Sequence, residues 1–146
     1  MTVILQAMFD RCLYFNVNAL ARVVNKKWAD AFAQYDLSPA HGYLLRVVLA
    51  QPGISQKQLA DELRLEKSTI TRFVDVLQKK GFVVRKKGDT EDARELSIYA
   101  TDQANEIYTE LEDLGDSLYQ TMVSKIGAEN LELLVGELRE STKNIE

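Results

Sequence analysis

The sequence contains little of the side-chain chemistry from which active sites and metal centres are built. Its 146 residues include one cysteine, Cys12, and one histidine, His41. One cysteine cannot form an internal disulfide, and one cysteine with one histidine cannot supply the usual ligands of a zinc site. They also leave too little material for a histidine-based catalytic triad. We therefore expect a protein that is not an enzyme and that binds no metal or cofactor.

Long hydrophobic runs are also missing from the sequence. No stretch approaches the roughly 20 uninterrupted apolar residues that a membrane-spanning helix needs. The N-terminus has no signal-peptide pattern, and the single cysteine excludes a disulfide framework. The expectation is a cytoplasmic protein without a membrane partner.

Acidic residues outnumber basic ones by 22 to 18, but the two signs are not evenly mixed. Between Arg64 and Gly88 the chain has eight basic and two acidic residues, a net charge of +6. Residues 101–146 have three basic and eleven acidic residues, a net charge of −8. Because the local field decides whether a phosphate backbone is attracted, the basic segment indicates a nucleic-acid-binding surface. The alternative at this point is a chance cluster of solvated charges.

The first part of the chain is predicted to be one long helix. Residues 9–35 contain neither proline nor glycine, and their apolar residues recur at intervals of three and four. This is the spacing of one helix face, and it comprises Phe9, Leu13, Val17, Leu20, Val24 and Trp28. A helix of that length would extend about 40 Å at 1.5 Å per residue, which is more than a small domain needs. We therefore expect part of it to pack on something outside its own domain.

Three shorter helices follow, and their start and stop signals are clear. Ser38-Pro39 is typical of a helix N-terminus, with serine as the cap and proline in the first helical position. Ser55 and Gln58 predict a capping box at the start of the next helix. The third begins near residues 66–68, ends at Lys80 and is followed by a glycine stop. Two capped helices separated by a tight turn predict a helix-turn-helix.

A strand pair and two further helices complete the predicted fold. Residues 82–87 and 95–100 are short and rich in β-branched or aromatic side chains, with a polar stretch between them, which predicts a hairpin. A fifth helix from Thr101 has coiled-coil-like apolar spacing as far as Leu118, and a sixth begins near Ala128. The expected fold class is mainly α with a small β-hairpin wing (α+β). It is a winged helix-turn-helix flanked by N- and C-terminal helices.

The polar front of the second helix of this motif is predicted to read DNA. Serine and threonine hydroxyls can reach phosphates or base edges, and Arg72 can make a bidentate contact with guanine. In the wing, Arg94 is expected to enter the minor groove, oriented by Asp92. The alternatives are a solvated front, and an exposed Asp92–Arg94 ion pair that contributes less than about 1 kcal/mol. The expected DNA-binding residues are Ser55, Gln56, Lys67, Ser68, Thr69, Thr71, Arg72, Arg85, Lys86, Lys87 and Arg94.

Several short motifs resemble those of the MarR family of winged-helix transcription regulators. They are Leu37-Ser38-Pro39, Gln58-Leu59-Ala60, Lys67-Ser68-Thr69-Ile70-Thr71-Arg72, Lys79-Lys80-Gly81 and Asp92-Ala93-Arg94. The helical flanks are similar in length and placement, so the resemblance covers nearly the whole chain. The family's wing usually reads Asp-Arg-Arg, whereas Ala93 takes the middle place here. Only Arg94 therefore matches as the minor-groove residue.

The resemblance implies a homodimer that binds double-stranded DNA at a pseudo-palindromic operator, and we expect a repressor. Residues 1–36 and 101–146 would form the helical dimerisation region, and residues 37–100 the winged helix-turn-helix, within one intertwined domain. The flanking helices also have more apolar face than one winged domain can cover, which is compatible with a dimer. The alternative is a monomer with an internal helical bundle.

The resemblance further implies control by a small molecule or an oxidant. Family members commonly bind small, often aromatic, anions between the dimer helices and the winged domain. Some use a cysteine near the start of the first helix as a peroxide sensor. The candidate effector-pocket residues are Cys12, Phe15, Asn16, His41, Tyr43 and Arg46. For each of them the alternative is a satisfied group in the core or an interface, and a free cysteine is often a small buried hydrophobe.

Two other functions compete with a small-molecule-controlled regulator. One is a winged-helix protein-interaction module that presents its basic face to an acidic partner. The other is a peroxide-sensing regulator that uses Cys12. A DNA selection without enrichment would favour the first, and loss of peroxide response in Cys12→Ser would favour the second.

Overall fold

The computed structural model describes residues 2–87 and 95–146, and within them the fold is mainly helical. The helices are α1 (Val3–Asp10), α2 (Leu13–Phe32), α3 (Pro39–Ala50), α4 (Gln56–Leu63), α5 (Lys67–Lys79), α6 (Asp102–Glu106), α7 (Tyr108–Ile126) and α8 (Ala128–Ile145). A single 3-10 turn, Ala33–Tyr35, extends α2. The strands β1 (Ile54–Ser55), β2 (Val83–Lys87) and β3 (Leu96–Ala100) form an antiparallel sheet in the order β1-β3-β2. The predicted fold class is confirmed.

The chain divides into two compact units, the first ending at Glu106 and the second spanning Ile107–Glu146. The first unit contains α1 to α6 and the sheet, and the second contains α7 and α8. The predicted division into a dimerisation region (residues 1–36 and 101–146) and a winged helix-turn-helix (residues 37–100) depends on a dimer. It stays a prediction. Among the described helices, none combines the length and the apolar character needed to span a bilayer.

The predicted single helix over residues 9–35 is wrong near its start, because the chain bends between α1 and α2. The side-chain amide of Asn16 stabilises the bend. Its Nδ2 donates to the carbonyls of Phe9 and Cys12, both at 2.8 Å. These carbonyls lie in and just after the last turn of α1, where the helical hydrogen-bond pattern ends. The bend leaves the apolar spacing unchanged, so the periodicity does not reveal it.

The predicted helix starts in the centre of the chain are confirmed. Ser38 caps α3 by accepting a hydrogen bond from the His41 N–H at 3.2 Å, with proline next in sequence. Ser55 and Gln58 form both halves of the capping box on α4, at 3.1 and 3.0 Å. Arg64 then turns the chain toward α5 with a φ of 54°. Each cap supplies a partner to backbone N–H groups that have none within the helix.

The helices α3, α4 and α5 share the core of the first unit. Their buried side chains are Leu44, Leu45, Val48, Leu49, Leu59, Ile70, Val74 and Leu77. Burying each of these side chains fully contributes about 1.5–3 kcal/mol. Phe73 of α5 is only half-buried and packs edge-on against the His41 ring, with ring centres 4.7 Å apart. This core holds α5 in a fixed rotation about its own axis.

The predicted hairpin is confirmed, and the structure adds a third strand. All five residues of β2 pair with β3, beginning with Val83 opposite Ala100. On the other edge of β3, Ile54 of β1 pairs with Ile98. A strand of two residues is too short to show an alternating pattern, so β1 cannot be predicted from the sequence.

The predicted single helix from Thr101 to beyond Leu118 is also wrong, because α6 and α7 are separate. The backbone leaves the helical conformation at Ile107, with φ −100° and ψ 4°. One non-helical residue does not change the spacing of the apolar side chains, so the sequence pattern does not show the break. Gly127, with φ +93°, joins α7 to α8, and the predicted start near Ala128 is confirmed.

Candidate nucleic-acid interface

The surface predicted to bind DNA is built on α5. A helix turns about 100° per residue, so residues three and four apart share a face. One face is fully buried and consists of Ile70, Val74 and Leu77. The opposite face is exposed and carries Ser68, Arg72, Asp75 and Lys79. Burial of the first face therefore decides which side chains α5 presents to solvent.

The first turns of α5 contain five of the predicted DNA-binding residues. Lys67, Ser68 and Arg72 are exposed, whereas Thr69 and Thr71 are half-buried. Thr71 Oγ1 donates to the Lys67 carbonyl at 3.0 Å, and Arg72 Nη2 donates to Thr69 Oγ1 at 3.4 Å. The positive end of the helix dipole lies here as well and favours anions. The region offers a hydroxyl and two cations to a negatively charged ligand.

The structure gives Ser55 a different place from the one expected for a DNA contact. Ser55 is only 6% exposed, and its hydroxyl is the cap of α4. Gln56, the first residue of α4, is half-buried. The side chain of Ser55 is therefore used inside the protein, and we leave it out of the surface proposed below.

The described part of the wing contributes basic side chains from β2. Lys86 and Lys87 are exposed, and Lys86 Nζ lies 5.1 Å from the centre of the Tyr99 ring. A cation over an aromatic face is attracted to it while its charge remains accessible. The predictions for Asp92 and Arg94 lie outside the described residues.

Arg85, the third basic residue of β2, lies against α5 instead of on the outward surface. Its side chain is 18% exposed and forms an ion pair with Asp75 at 2.5 Å. The guanidinium also donates to Gln78 Oε1 at 2.9 Å and to the Thr71 carbonyl at 3.2 Å. Arg85 thus connects β2 to α5, which differs from its predicted role as a DNA-binding cation.

Comparison with known proteins shows which family the chain resembles. A model of the MarR family matches residues 35–95, which include α3, α4, α5 and β2. The transcriptional regulator SarZ of Staphylococcus epidermidis is 26% identical over 136 residues, covering 92% of this chain and 88% of SarZ. The chain therefore resembles the MarR family. The relatives that it resembles are transcriptional regulators and not enzymes.

Other relatives and solved structures agree with this MarR-family fold. The transcriptional regulator HosA of Escherichia coli O157:H7 is 26% identical over 104 residues, covering 71% of this chain and 76% of HosA. The structure of the Staphylococcus aureus MepR–DNA complex has a TM-score of 0.82 at 20% identity, with coverage of 92% and 99%. The repressor CouR bound to a 23-mer duplex has a TM-score of 0.81 at 20% identity, with coverage of 91% and 94%.

The six effector-pocket candidates fall into three groups, the first at the junction of α1 and α2. Cys12 is half-buried and caps α2, with Sγ accepting the Phe15 N–H at 3.5 Å. The Phe15 ring packs on Phe9 with ring centres 4.7 Å apart. The Asn16 amide bonds to carbonyls at the bend. Cys12, Phe15 and Asn16 therefore all join α1 to α2.

The second group lies between α2 and α3. The Tyr43 hydroxyl accepts a hydrogen bond from Trp28 Nε1 at 3.1 Å, and the Tyr43 ring lies 5.9 Å from the Phe32 ring. The Arg46 guanidinium lies 5.2 Å from the centre of the Tyr43 ring. Trp28 was predicted only as part of an apolar stripe, because its polar contact depends on packing between distant segments.

His41, the third group, lines a cavity of about 430 Å³. Its Nδ1 lies 2.5 Å from Ser38 Oγ, and its Nε2 is buried without a hydrogen-bond partner among the described residues. Burial lowers the pKa of His41, and the positive charge of Lys80 lowers this pKa further. The rest of the lining is Ala29, Ala33, Asp36, Leu37, Ser38, Pro39, Val76 and Lys80. The other five effector candidates do not line this cavity.

An ion pair that the sequence does not reveal lies beside the cavity. Lys80 Nζ pairs with Asp36 Oδ2 at 2.9 Å and also donates to the Asp36 carbonyl. Lys80 follows the last residue of α5, and Asp36 has a φ of 53° in the link between α2 and α3. Because 44 positions separate the two residues, no local pattern predicts the contact. Within the described residues there is no cluster of three or more side chains suited to a metal ion.

Proposed function

We propose that the protein is a MarR-family regulator that binds double-stranded DNA as a homodimer and represses transcription at a pseudo-palindromic operator. Each subunit places α5 in the major groove, and a small-molecule or oxidant signal releases the protein. The observation that carries the proposal is the exposed polar and basic face of α5 beside the exposed lysines of β2.

The charges around α5 support binding to a polyanion. Lys67 and Arg72 on α5 are exposed, as are Lys86 and Lys87 on β2. The acidic residue on the same face, Asp75, is paired with Arg85. Positive side chains with unobstructed access to solvent attract phosphates and release condensed counterions on binding. The DNA complexes of MepR and CouR, which share this fold, support the same use of it here.

Each exposed group has a distinct proposed role. Arg72, which has two parallel N–H donors, reads a guanine edge, and Ser68 contacts a phosphate or a base beside it. Lys67, Lys86 and Lys87 contact phosphates and fix the register of the protein on the duplex. Arg94 is proposed as the minor-groove residue from the resemblance of its motif alone.

The proposed homodimer is supported by apolar side chains that each unit leaves exposed. In α1, Val3 and Ile4 are 83% and 82% exposed. In α8, Leu133 and Ile145 are 65% and 72% exposed. Large apolar side chains concentrated on particular helices mark interaction surfaces. A symmetric dimer would place two α5 helices about 34 Å apart, one helical turn of DNA.

Selection of duplexes from a random pool by the purified full-length protein tests DNA binding. We expect a pseudo-palindromic sequence to be enriched and its binding to weaken as salt increases. With that duplex, Arg72→Ala should weaken binding by about 1–3 kcal/mol and relax specificity at one base pair of each half-site. Equal affinity of wild type and variant for all sequences would reject this role for Arg72.

Two serine variants separate surface contacts from capping. Ser68→Ala should weaken DNA binding with little change in unfolding free energy. Ser55→Ala should lower the unfolding free energy by about 1 kcal/mol and leave the affinity of the folded protein nearly unchanged. If no duplex is enriched while an acidic protein partner binds, the protein-interaction module is the better description.

For the releasing signal, we propose a small aromatic anion in the cavity lined by His41. Apolar side chains such as Leu37 and Val76 suit a ring, and Lys80 with Ser38 suits a carboxylate. In a thermal-shift screen of aromatic acids, we expect at least one to stabilise the protein and to weaken DNA binding. Lys80→Met should abolish both effects, and their persistence in this variant would reject the site.

The oxidant alternative depends on Cys12 and is tested separately. If mild hydroperoxide is the signal, it releases the wild type from DNA and does not release Cys12→Ser. If both proteins remain bound, the oxidant alternative is rejected, whatever the outcome of the acid screen.

A further inference from the structure

We infer that Arg85 is a positioning residue that locks the wing strand β2 to α5 and masks the charge of Asp75, and that it does not contact DNA. The inference rests on the proposed DNA-binding function. It assigns to Arg85 a role different from that of the neighbouring lysines of the same strand.

The first observation is that the acceptors of Arg85 lie along one flank of α5. Its guanidinium bonds to the Thr71 carbonyl, to Asp75 Oδ1 and to Gln78 Oε1. Residues 71, 75 and 78 are spaced by four and three, so they follow one another along the same side of the helix. A planar guanidinium can serve several acceptors at fixed angles, whereas a lysine ammonium is a point charge. The contact therefore fixes both the distance and the rotation of β2 relative to α5.

The second observation is the direction in which Arg85 leaves the strand. Side chains alternate between the two faces of a strand, so Arg85 points to the same side of β2 as Val83, which is buried. Lys86 points to the other side and is exposed. A phosphate would have to compete with these three bonds to α5 for the guanidinium of Arg85. Lys86 and Lys87 reach solvent without such a loss.

The third observation is the position of Asp75. It follows Arg72 by three residues on the exposed face of α5, and its side chain is 61% exposed. An unpaired carboxylate there would repel phosphates beside the residue proposed to read a base. The Arg85 ion pair at 2.5 Å offsets that charge. Removal of Arg85 should therefore harm DNA binding in two ways, by releasing β2 and by unmasking Asp75.

Four variants of the full-length protein test the inference on the selected duplex, with affinity measured over a range of salt concentrations. Arg85→Met should weaken binding about tenfold, because it releases β2 and unmasks Asp75. Arg85→Lys should weaken it by a smaller factor, because lysine offsets the charge of Asp75 but cannot make all three bonds. Asp75→Asn should bind at least as tightly as the wild type. The double variant Asp75→Asn/Arg85→Met should recover only the part of the lost affinity that the unmasked carboxylate causes, because β2 is still released from α5.

Direct contact with a phosphate predicts a different pattern. Arg85→Lys would then bind like the wild type, Arg85→Met would reduce the salt slope by about one phosphate contact, and Asp75→Asn would not rescue it. That pattern would overturn the inference, as would wild-type affinity in all four variants. If the wild type itself binds no duplex, the proposed function fails, and this outcome is distinct from either pattern among the variants.

The matched control is the exposed ion pair between Lys26 and Asp30 on α2, which are 2.9 Å apart. Lys26→Met, Asp30→Asn and their combination remove the same charges away from α5 and should change DNA affinity less than about twofold. Circular dichroism melts of every variant establish that the folded proteins are compared. If Arg85→Met is unfolded, Arg85→Lys still distinguishes the two patterns. A folded Arg85→Lys variant with wild-type affinity would overturn the inference.

Discussion

At the scale of single residues, Gly42 shows how the absence of a side chain sets the distance between two helices. A Cβ atom at this position would lie 2.3 Å from Cε1 of Phe32, which is fully buried. Real Cβ atoms do not approach a neighbour so closely, and the ring is held by the surrounding core. Gly42 therefore allows α3 to pack directly on the end of α2. Its role depends on close approach and not on an unusual backbone conformation.

We predict that Gly42→Ala lowers the unfolding free energy by about 1–3 kcal/mol, the usual effect of overpacking a core. The matched control is Gly136→Ala in α8, where a Cβ would meet no atom within 4 Å. Alanine in an open helical position should stabilise by about 0.5–1 kcal/mol. Urea unfolding followed by circular dichroism measures both. Equal midpoints for Gly42→Ala and the wild type would contradict the close packing.

His41 makes stability depend on pH in a defined direction. Because burial lowers its pKa below the ordinary value of 6.5, the unfolded chain binds a proton at a pH where the folded protein does not. The contribution of His41 to stability is therefore full above about pH 6.5 and is lost as the pH falls toward the lowered pKa. We predict that the stability difference between wild type and His41→Gln shrinks between about pH 7.5 and 5.5.

Urea unfolding at a series of pH values measures this difference. His41 is the only histidine in the chain, so other titrating groups are common to both proteins and cancel in the comparison. Plots of unfolding free energy against pH that run parallel for the two proteins would show that the folded state does not disfavour the protonated His41 ring.

At the scale of whole elements, the side chain of Asn16 bridges the break between α1 and α2. Asn16 Nδ2 donates to three carbonyls at the bend, those of Phe9, Asp10 and Cys12. Asn18 Nδ2 bonds only to the Tyr14 carbonyl within α2, at 2.8 Å. We predict that Asn16→Leu destabilises by about 1–2 kcal/mol and speeds hydrogen exchange of the amides of α1. Asn18→Leu should have a smaller effect and leave exchange in α1 unchanged. The same exchange rates in both variants would contradict the role of Asn16.

The elements that the sequence predicts correctly are those defined by neighbouring residues. The capping box of Ser55 and Gln58 and the serine-proline start of α3 depend on contacts three residues apart, so a local pattern contains them. The bend after α1 and the break at Ile107 do not alter the spacing of the apolar residues, so that spacing does not predict them. For the wing strand β2, the sequence predicted the strand but not the inward direction of Arg85.

At the scale of the whole molecule, the predicted apolar stripe of the first helix is partly in solvent. Leu13, Val17 and Leu20 belong to that stripe, and all three are classed among the exposed large hydrophobic side chains. A stripe that the chain itself leaves in water is suited to a second copy, as the proposed homodimer requires.

We predict that Val17→Glu raises the dimer dissociation constant at least about tenfold, since it would place a charge in an apolar interface. Asn25→Glu adds the same charge to another face of α2 and should leave dimerisation unchanged. Sedimentation equilibrium of both variants and the wild type measures this. A monomeric wild type would reject the dimer, and equal behaviour of the two variants would place the interface elsewhere.

The sequence by itself determined the order of the helices, the caps that start them, the hairpin and the rotation of α5 about its axis. Each of these follows from residues close in the chain, through hydrogen bonds to backbone ends or through burial of an apolar row. Only the tertiary structure decided which basic side chains face outward. Arg85 and Lys86 are adjacent and equally charged, yet one bonds to α5 and the other reaches solvent. The pairing of Lys80 with Asp36 and the cavity beside His41 were likewise decided by folding, because they join segments that are distant in the chain.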